Sequence, residues 1–214
     1  MLADPLLSSW YTERSGSYAR IYQTDELNAV TTWSRGQGSQ TEPTYAGIHE
    51  ISYTDEWVYI RTTNLASYIM GPWYTNEFRT NLFPNYPDNQ AAVHRFSRNP
   101  TDPITVINKT ETGGGAIGLM VNGVCMFDSR DAFSYSTASA GDARAKEGGE
   151  QRWNRDAYVN ESITFDAGNA HQAWANHHYH ANPPALRHQL GDSVDYDPVT
   201  NVYTENFNGE HSPI

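Results

Sequence analysis

Four of the eight histidines of this chain fall within ten residues, as His171, His177, His178 and His180. Imidazole is the commonest protein metal ligand and costs little to bury when neutral. Residues two apart on a strand project from one face. If the stretch from Asn176 is a strand, His178 and His180 share a face, and His177 and Tyr179 take the other. His171 then needs only a local turn to bring a third nitrogen. Three imidazoles with an open fourth position suit catalytic zinc, and nitrogen-rich tetragonal sites suit Cu(II). His188, His211 and Asp166 follow as further candidate ligands. Asp166 and Glu161 can orient a ligand histidine or ligate directly. Tyr179 and Glu161 are the candidate catalytic groups. His49 and His94 stand alone and read as structural. The competing reading of the whole cluster is a set of hydrogen-bonded histidines with no metal. Cys125 is the sole cysteine and is remote in sequence, so nothing points to sulfur ligation, and no intrachain disulfide can form.

The elements that must position these groups read as mostly β. Ile48, Ile51, Tyr53, Trp57 and Tyr59 alternate with polar neighbours, with Asp55-Glu56 where a hairpin turn belongs. Ala92–Phe96 reads as a strand ending before Pro100. Ile117–Phe127 reads as two strands joined at Asn122-Gly123, a strong hairpin signal because both residues tolerate positive φ. Gly71-Pro72 stops helix and sheet alike. Arg152–Phe165 is the best helix candidate, on the spacing of Trp153, Ala157, Tyr158 and Glu161. Residues 136–150 are small and polar and read as a mobile loop or a peripheral excursion. Asp192, Asp195 and Asp197 line a turn, and Val202-Tyr-Thr is a further strand. The expected architecture is mainly β, one sandwich- or barrel-like domain with one or two short helices. It runs over 1–214, with an N-terminal β region at 1–90 and a second region at 91–214.

Composition narrows the partners. Only 18% of residues are charged and the formal net charge is −11, which argues against nucleic acid or an anionic membrane as partner. No apolar run approaches the roughly 20 residues that span a bilayer, and no signal peptide is visible at the N-terminus. The wealth of Tyr, Asn, Thr and Gly beside only two lysines, Lys109 and Lys146, leans towards a secreted or periplasmic protein in mature form. The acidic spacing at 192–197 lacks the glycine and terminal Glu of a calcium loop. Gly113-Gly-Gly is not a phosphate loop, since no Lys-Ser/Thr follows. Asn108-Lys-Thr and Asn160-Glu-Ser fit the glycosylation sequon.

Several segments together resemble the YHYH-domain family. They are Arg95-Phe-Ser-Arg-Asn-Pro100, Gly115-Ala-Ile-Gly-Leu-Met-Val-Asn-Gly-Val-Cys-Met-Phe-Asp128, Phe165-Asp-Ala-Gly-Asn-Ala-His171, His177-His-Tyr-His180 and His211-Ser-Pro-Ile214, in the family's order. Trp57-Val-Tyr-Ile60 and Met70-Gly-Pro-Trp73 are similar to the upstream part of longer members. His177 replaces the first Tyr of the name motif, and Ala167 and Ala185 stand where many members carry Cys. Members continue beyond the His-Ser-Pro-Ile segment, so a truncated, processed or short member is expected, or a partner chain or homo-oligomer that completes the C-terminal end. The resemblance implies an extracytoplasmic protein with a metal site and no firm reaction.

Three functions are therefore expected. The first is a mononuclear His-ligated metalloenzyme, a copper oxidoreductase ahead of a zinc hydrolase or lyase. The second is a non-catalytic protein in which the ion staples loops. The third is a carbohydrate-binding protein that uses its aromatics on a carbohydrate or other extracellular partner.

Overall fold

In the computed structural model of the protein, the described residues are 17–100, 112–144, 147–151 and 154–206. They form seventeen short strands and two short helices. The N-terminal part contributes β1 (Arg20–Tyr22), β2 (Ala29–Val30), β3 (Trp33–Arg35), β4 (Gly38–Gln40), β5 (Ile48–Tyr53), β6 (Trp57–Thr62) and β7 (Ile69–Met70). The middle part contributes β8 (Ala92–Ser97), β9 (Ala116–Leu119), β10 (Cys125–Phe127), β11 (Arg130–Ser136), β12 (Gly141–Arg144), β13 (Asn154–Asp156) and helix α1 (Ala157–Glu161). Last come β14 (Ala170–Ala173), β15 (Asn176–Tyr179), helix α2 (Pro184–Gln189), β16 (Val194–Asp197) and β17 (Val202–Glu205). The strands divide into six small sheets, and among the described residues none closes into a barrel. No helix of the described residues is long and apolar enough to cross a membrane.

The β5–β6 hairpin turns at Asp55-Glu56, with Tyr53 opposite Val58, and β8 adds to it antiparallel. The family-like segment beginning in β8 is therefore sheet-paired to the N-terminal region, so the boundary expected near residue 90 falls beside a strand shared by both. The β9–β10 hairpin forms as expected, but its turn differs. Gly123 N–H donates to Met120 O (2.8 Å), and of the Asn122-Gly123 pair only Gly123 takes positive φ (80°). This is a turn over Val121-Asn122 followed by a left-handed glycine, not a two-residue Asn-Gly turn.

Three expectations are altered for identifiable reasons. The helix expected over Arg152–Phe165 is reduced to α1 and a 3₁₀ turn at Ser162–Thr164, after strand β13. The Asp156 carboxylate caps Val159 N–H (3.0 Å) and so starts the helix late. The run Val159-Asn160, then Ser162-Ile163-Thr164, consists of weak helix formers and ends it early. Residues 136–150, expected as a mobile loop or a peripheral excursion, contain β12, which pairs with β11 from Phe133↔Arg144 to Ser136↔Gly141. That hairpin carries few apolar residues, so its alternation is silent in the sequence. Likewise Asp195 and Asp197 lie on β16, and the turn falls after them.

The core joins both regions, with Ile21, Trp33, Leu65, Tyr68, Met70, Trp73 and Tyr86 packed with Val124, Ala170, Tyr179 and Ala185. Asn64 rivets it. Its side chain donates to His177 O (2.8 Å) and accepts from Cys125 N–H (2.6 Å), bridging β10 and β15. Thr62 Oγ1 adds a bond to Gly123 O (2.7 Å). Asn64 is 1% exposed, so its loss strands a buried donor and a buried acceptor. Asn64→Ala is expected to lower stability by at least about 2 kcal/mol in urea denaturation.

Candidate metal centre

Sheet β14-β15-β10-β9 holds the histidines. The β14–β15 register pairs Ala170 with Tyr179, His171 with His178, and Gln172 with His177. Paired residues share a face, so strict alternation splits the cluster. Ala170, Gln172, His177 and Tyr179 face the core, while His171 and His178 face the opposite side, joined there by His180 at the end of the strand. One ligand atom from each of His171, His178 and His180 lies within 4.8 Å of the others. The Nε2 atoms of His178 and His180 are 3.0 Å apart. Glu161, at the end of α1, brings Oε2 to 3.1 Å from His171 Nε2 and 3.3 Å from His180 Nε2.

The second nitrogen of each ring has a fixed acceptor. His178 Nδ1 lies 2.9 Å from Asn176 O, and His180 Nδ1 lies 3.1 Å from Asp128 O. Carbonyls only accept, so both rings carry their proton on Nδ1. His171 Nδ1 lies 2.7 Å from Thr164 Oγ1, whose one hydrogen is donated to Glu161 O (2.6 Å). That hydroxyl must accept from His171, which therefore also carries a proton on Nδ1. The Nε2 sides of the three rings thus meet in one small volume, and the short contacts of His171 and His180 with Glu161 (3.1 and 3.3 Å) need a proton or a cation between nitrogen and oxygen. Two facing lone pairs 3.0 Å apart repel, so the arrangement calls for a proton or a metal cation between them. This is how ligand histidines are oriented by the groups behind them.

The surroundings are apolar. Phe127 stacks on His178 at 3.8 Å between ring centroids. Phe165 meets His171 edge-on at 4.9 Å, and Phe83 lies 5.9 Å from the same ring. Burial holds His178 well below the usual imidazole range, and the neighbouring histidines add to this. Burial also lowers His171, although the Glu161 carboxylate works against it. Both shifts favour the neutral imidazole at His171 and His178. Burial works to raise Glu161, but hydrogen bonds with Asp131 and with His171 and His180, donated when their Nε2 atoms carry a proton, overcome it and hold the carboxyl well below its ordinary value. Asp131 is in turn bonded by Arg155 Nε (2.7 Å).

Other expected residues lie elsewhere. His177 packs edge-on against Trp73 at 5.9 Å and reaches Tyr68 Oη at 3.3 Å; burial drives its pKa to about 3. Asp166, the further candidate ligand, lies outside the group formed by the three histidines. It accepts from the backbone N–H of Gly71 (2.9 Å), Gly168 (2.8 Å) and Ala170 (3.2 Å), and from the Tyr68 hydroxyl (3.2 Å). A Cβ on Gly168 would fall 2.3 Å from Tyr68 Oη, so only glycine admits this contact. Tyr179 is fully buried in the core with its hydroxyl bonded by Asn122 (2.9 Å), away from the imidazole face. His188 bonds Val194 O (2.8 Å) and packs on Tyr196 and Tyr203, outside the group. His211 lies outside the described residues. His49 bonds Tyr45 O. Cys125, remote in sequence, lies opposite His178 across β10–β15. Its sulfur nevertheless pairs with His94 Nε2 at 3.7 Å, and burial lifts the thiol to about 11.

Sequence reasoning passed over Thr164, Phe127, Phe165 and the carbonyls of Asp128 and Asn176. Phe127-Asp128 and Phe165 end or open the very segments that carry the family likeness, and that adjacency was the available signal. A mainly β protein whose one hairpin presents three histidines to a carboxylate is the class that fold and site define. Residues 94–202, half of the chain, match the family model described as YHYH protein, and the chain belongs to that family. No curated protein and no solved structure matches it.

Burial pushes the Asp166 carboxyl up to about 7, and its four hydrogen bonds hold it from rising further. A raised carboxyl binds its proton more tightly in the folded state. Its contribution to stability is complete below the unfolded value of about 3.9 and is lost as pH rises through about 7. Asp166→Asn removes this titration. Urea midpoints should therefore show the wild-type protein losing stability relative to the variant between pH 4 and 7, and a difference independent of pH would contradict the assignment.

Proposed function

We propose that this protein binds one divalent transition-metal ion through Nε2 of His171, His178 and His180 with the carboxylate of Glu161, and that it is a copper-dependent oxidoreductase. The observation that carries this reading is the acceptor behind each Nδ1, which leaves the Nε2 side of all three rings turned into one small volume, beside the Glu161 carboxylate that faces two of them. The donor set is three imidazole nitrogens and one oxygen, with no sulfur. Such a set favours Cu(II) over other divalent first-row ions in the usual affinity order. A bound copper ion supplies one-electron chemistry with oxygen or peroxide; zinc at the same donors would supply activated water, as in a hydrolase or lyase.

The chain's own residues have separable tasks. His171, His178, His180 and Glu161 bind. Thr164, Asn176 O and Asp128 O orient the rings. Phe83, Phe127 and Phe165 exclude water and lower the local dielectric, which strengthens every charge interaction at the centre. Asp131, bonded by Arg155 and raised by burial and by Glu161, shares with Glu161 a hydrogen bond in which one of the two carboxyls carries the proton. A structural role is the second reading. It is favoured by the presence of Glu161 as a fourth donor, because four protein ligands close a tetrahedral site, and by a chain with no disulfide.

Titration calorimetry with Cu(II) and Zn(II), beside elemental analysis of the purified protein, tests the site. One equivalent is expected, with Cu(II) tighter than Zn(II). At a free-metal level about 100 times Kd the melting temperature should rise by about 5–10 °C. His178→Ala/His180→Ala should abolish stoichiometric binding, and Glu161→Gln should weaken it by at least about 10-fold. Failure of the wild-type protein to bind either ion, or equal binding by the double variant, would sink the reading. EPR of the Cu(II) form separates the two roles. An exchangeable water or azide ligand supports catalysis, and a closed set of protein ligands supports the structural role.

A further inference from the structure

The hairpin that carries the histidines breaks a local rule at its other end. Ala173 pairs with Asn176, leaving Trp174 and Ala175 as a two-residue turn. Trp174 has φ of +53°, in the left-handed region where Gly or Asn is the usual occupant of such a turn and an L side chain is strained. Nothing in the core compensates, because Trp174 is 71% exposed. The turn is also clamped. Ala175 O accepts from Asp88 N–H (3.0 Å) and from Gln90 Nε2 (3.1 Å), so the strain is held in place. A strained backbone that no packing explains is a pointer to function.

The neighbouring chemistry indicates what an exposed indole would meet. The loop clamped onto the turn carries Asn89 and Gln90, and Gln40 Oε1 accepts from Asn89 N–H (3.3 Å). Asn176 follows the turn directly and is half-buried. Asp88 is the one formally charged residue in the Asp88–Gln90 loop, and its carboxylate accepts from Gln90 Nε2 (2.5 Å). Gln40 is committed to Glu42 O and Asn89 N–H, Gln90 Nε2 to Asp88 and Ala175 O, and Asn89 Oδ1 to Ala91 N–H, which leaves the exposed Asn89 Nδ2 to donate to hydroxyl groups and Gln90 Oε1 to accept from them, with no charged ligand required. An indole face offers a large flat surface to C–H groups.

We propose that Trp174, held out at the tip of the β14–β15 hairpin against the loop that carries Asn89 and Gln90, is a platform for the pyranose rings of a neutral polysaccharide. The platform is built from the turn alone and does not depend on a metal at the histidines. Trp174 is three residues from His171 along β14, about 10 Å at strand spacing. A bound polysaccharide therefore lies close to the histidine face of the sheet.

The test is binding of the full chain to suspensions of crystalline cellulose and chitin, and affinity electrophoresis in gels containing xylan or β-1,3-glucan, each with and without EDTA. Retention on at least one of these is expected, unchanged by EDTA. Trp174→Gly relieves the left-handed turn, so it should raise the melting temperature by a few degrees while weakening that binding at least tenfold. Trp174→Tyr should keep part of it. The proposal is overturned if the wild-type protein binds none of the four, if Trp174→Gly binds as well as wild type, or if EDTA abolishes binding, which would assign the glycan to the histidine centre. A lower melting temperature for Trp174→Gly would remove the strain on which the proposal rests.

Discussion

The pairing of His171 with His178 across the β14–β15 ladder governs the rest of the molecule. A strand has a side-chain period of two, so this register decides at once which residues enter the core and which meet at the centre. A slip of one residue would carry His177 and Tyr179 to the imidazole face and send His178 into the core. The slip is blocked from the core side. Tyr179 and Ala170 are fully buried there, Trp73 Nε1 donates to Ala170 O (3.0 Å), and Asn64 holds His177 O (2.8 Å). A polar rivet from the N-terminal region thus sets the register of a hairpin more than a hundred residues later.

The same histidine-rich stretch supports two opposite tautomer states. The three converging rings carry a proton on Nδ1 because a carbonyl or an already committed hydroxyl sits behind each. His177 is the reverse case. The Tyr68 hydroxyl lies between its Nε2 and the Asp166 carboxylate, and its Nδ1 has no partner within the described structure. With Asp166 ionised, the hydroxyl gives its proton to the carboxylate and accepts one from His177 Nε2. An unpartnered lone pair is then buried rather than an unpartnered N–H. Adjacent residues of one chemical type are thereby committed to different places, one to the core and the other to the group of converging rings.

Much of the β character was legible. The β5–β6 and β9–β10 hairpins are written in alternation and in turn residues, and the face shared by His178 and His180 follows from strand periodicity alone. The illegible parts have physical causes. The α1 segment has few helix-forming residues, and its start is fixed by the Asp156 cap. The β11–β12 hairpin has too little apolar surface to reveal its period. Asp166, close to the histidines in sequence, was grouped with them, yet its partners are backbone groups on the core side. Distance along the chain does not tell on which face of a sheet a turn will close.

By itself the sequence determined a mainly β chain, a membership carried by motifs between residues 94 and 202, and a pair of histidines two apart that must share a face. Those properties are local, set by side-chain period and turn chemistry within a few residues. Only the tertiary structure decided that Glu161 lies against His171 and His180, that Thr164, Asp128 and Asn176 orient the three rings, and that Asp166, His188 and Tyr179 stand apart from them. Those outcomes depend on how α1, the β9–β10 hairpin and the β14–β15 hairpin are brought together. That assembly is governed by buried contacts such as those of Asn64, which join segments far apart in the chain.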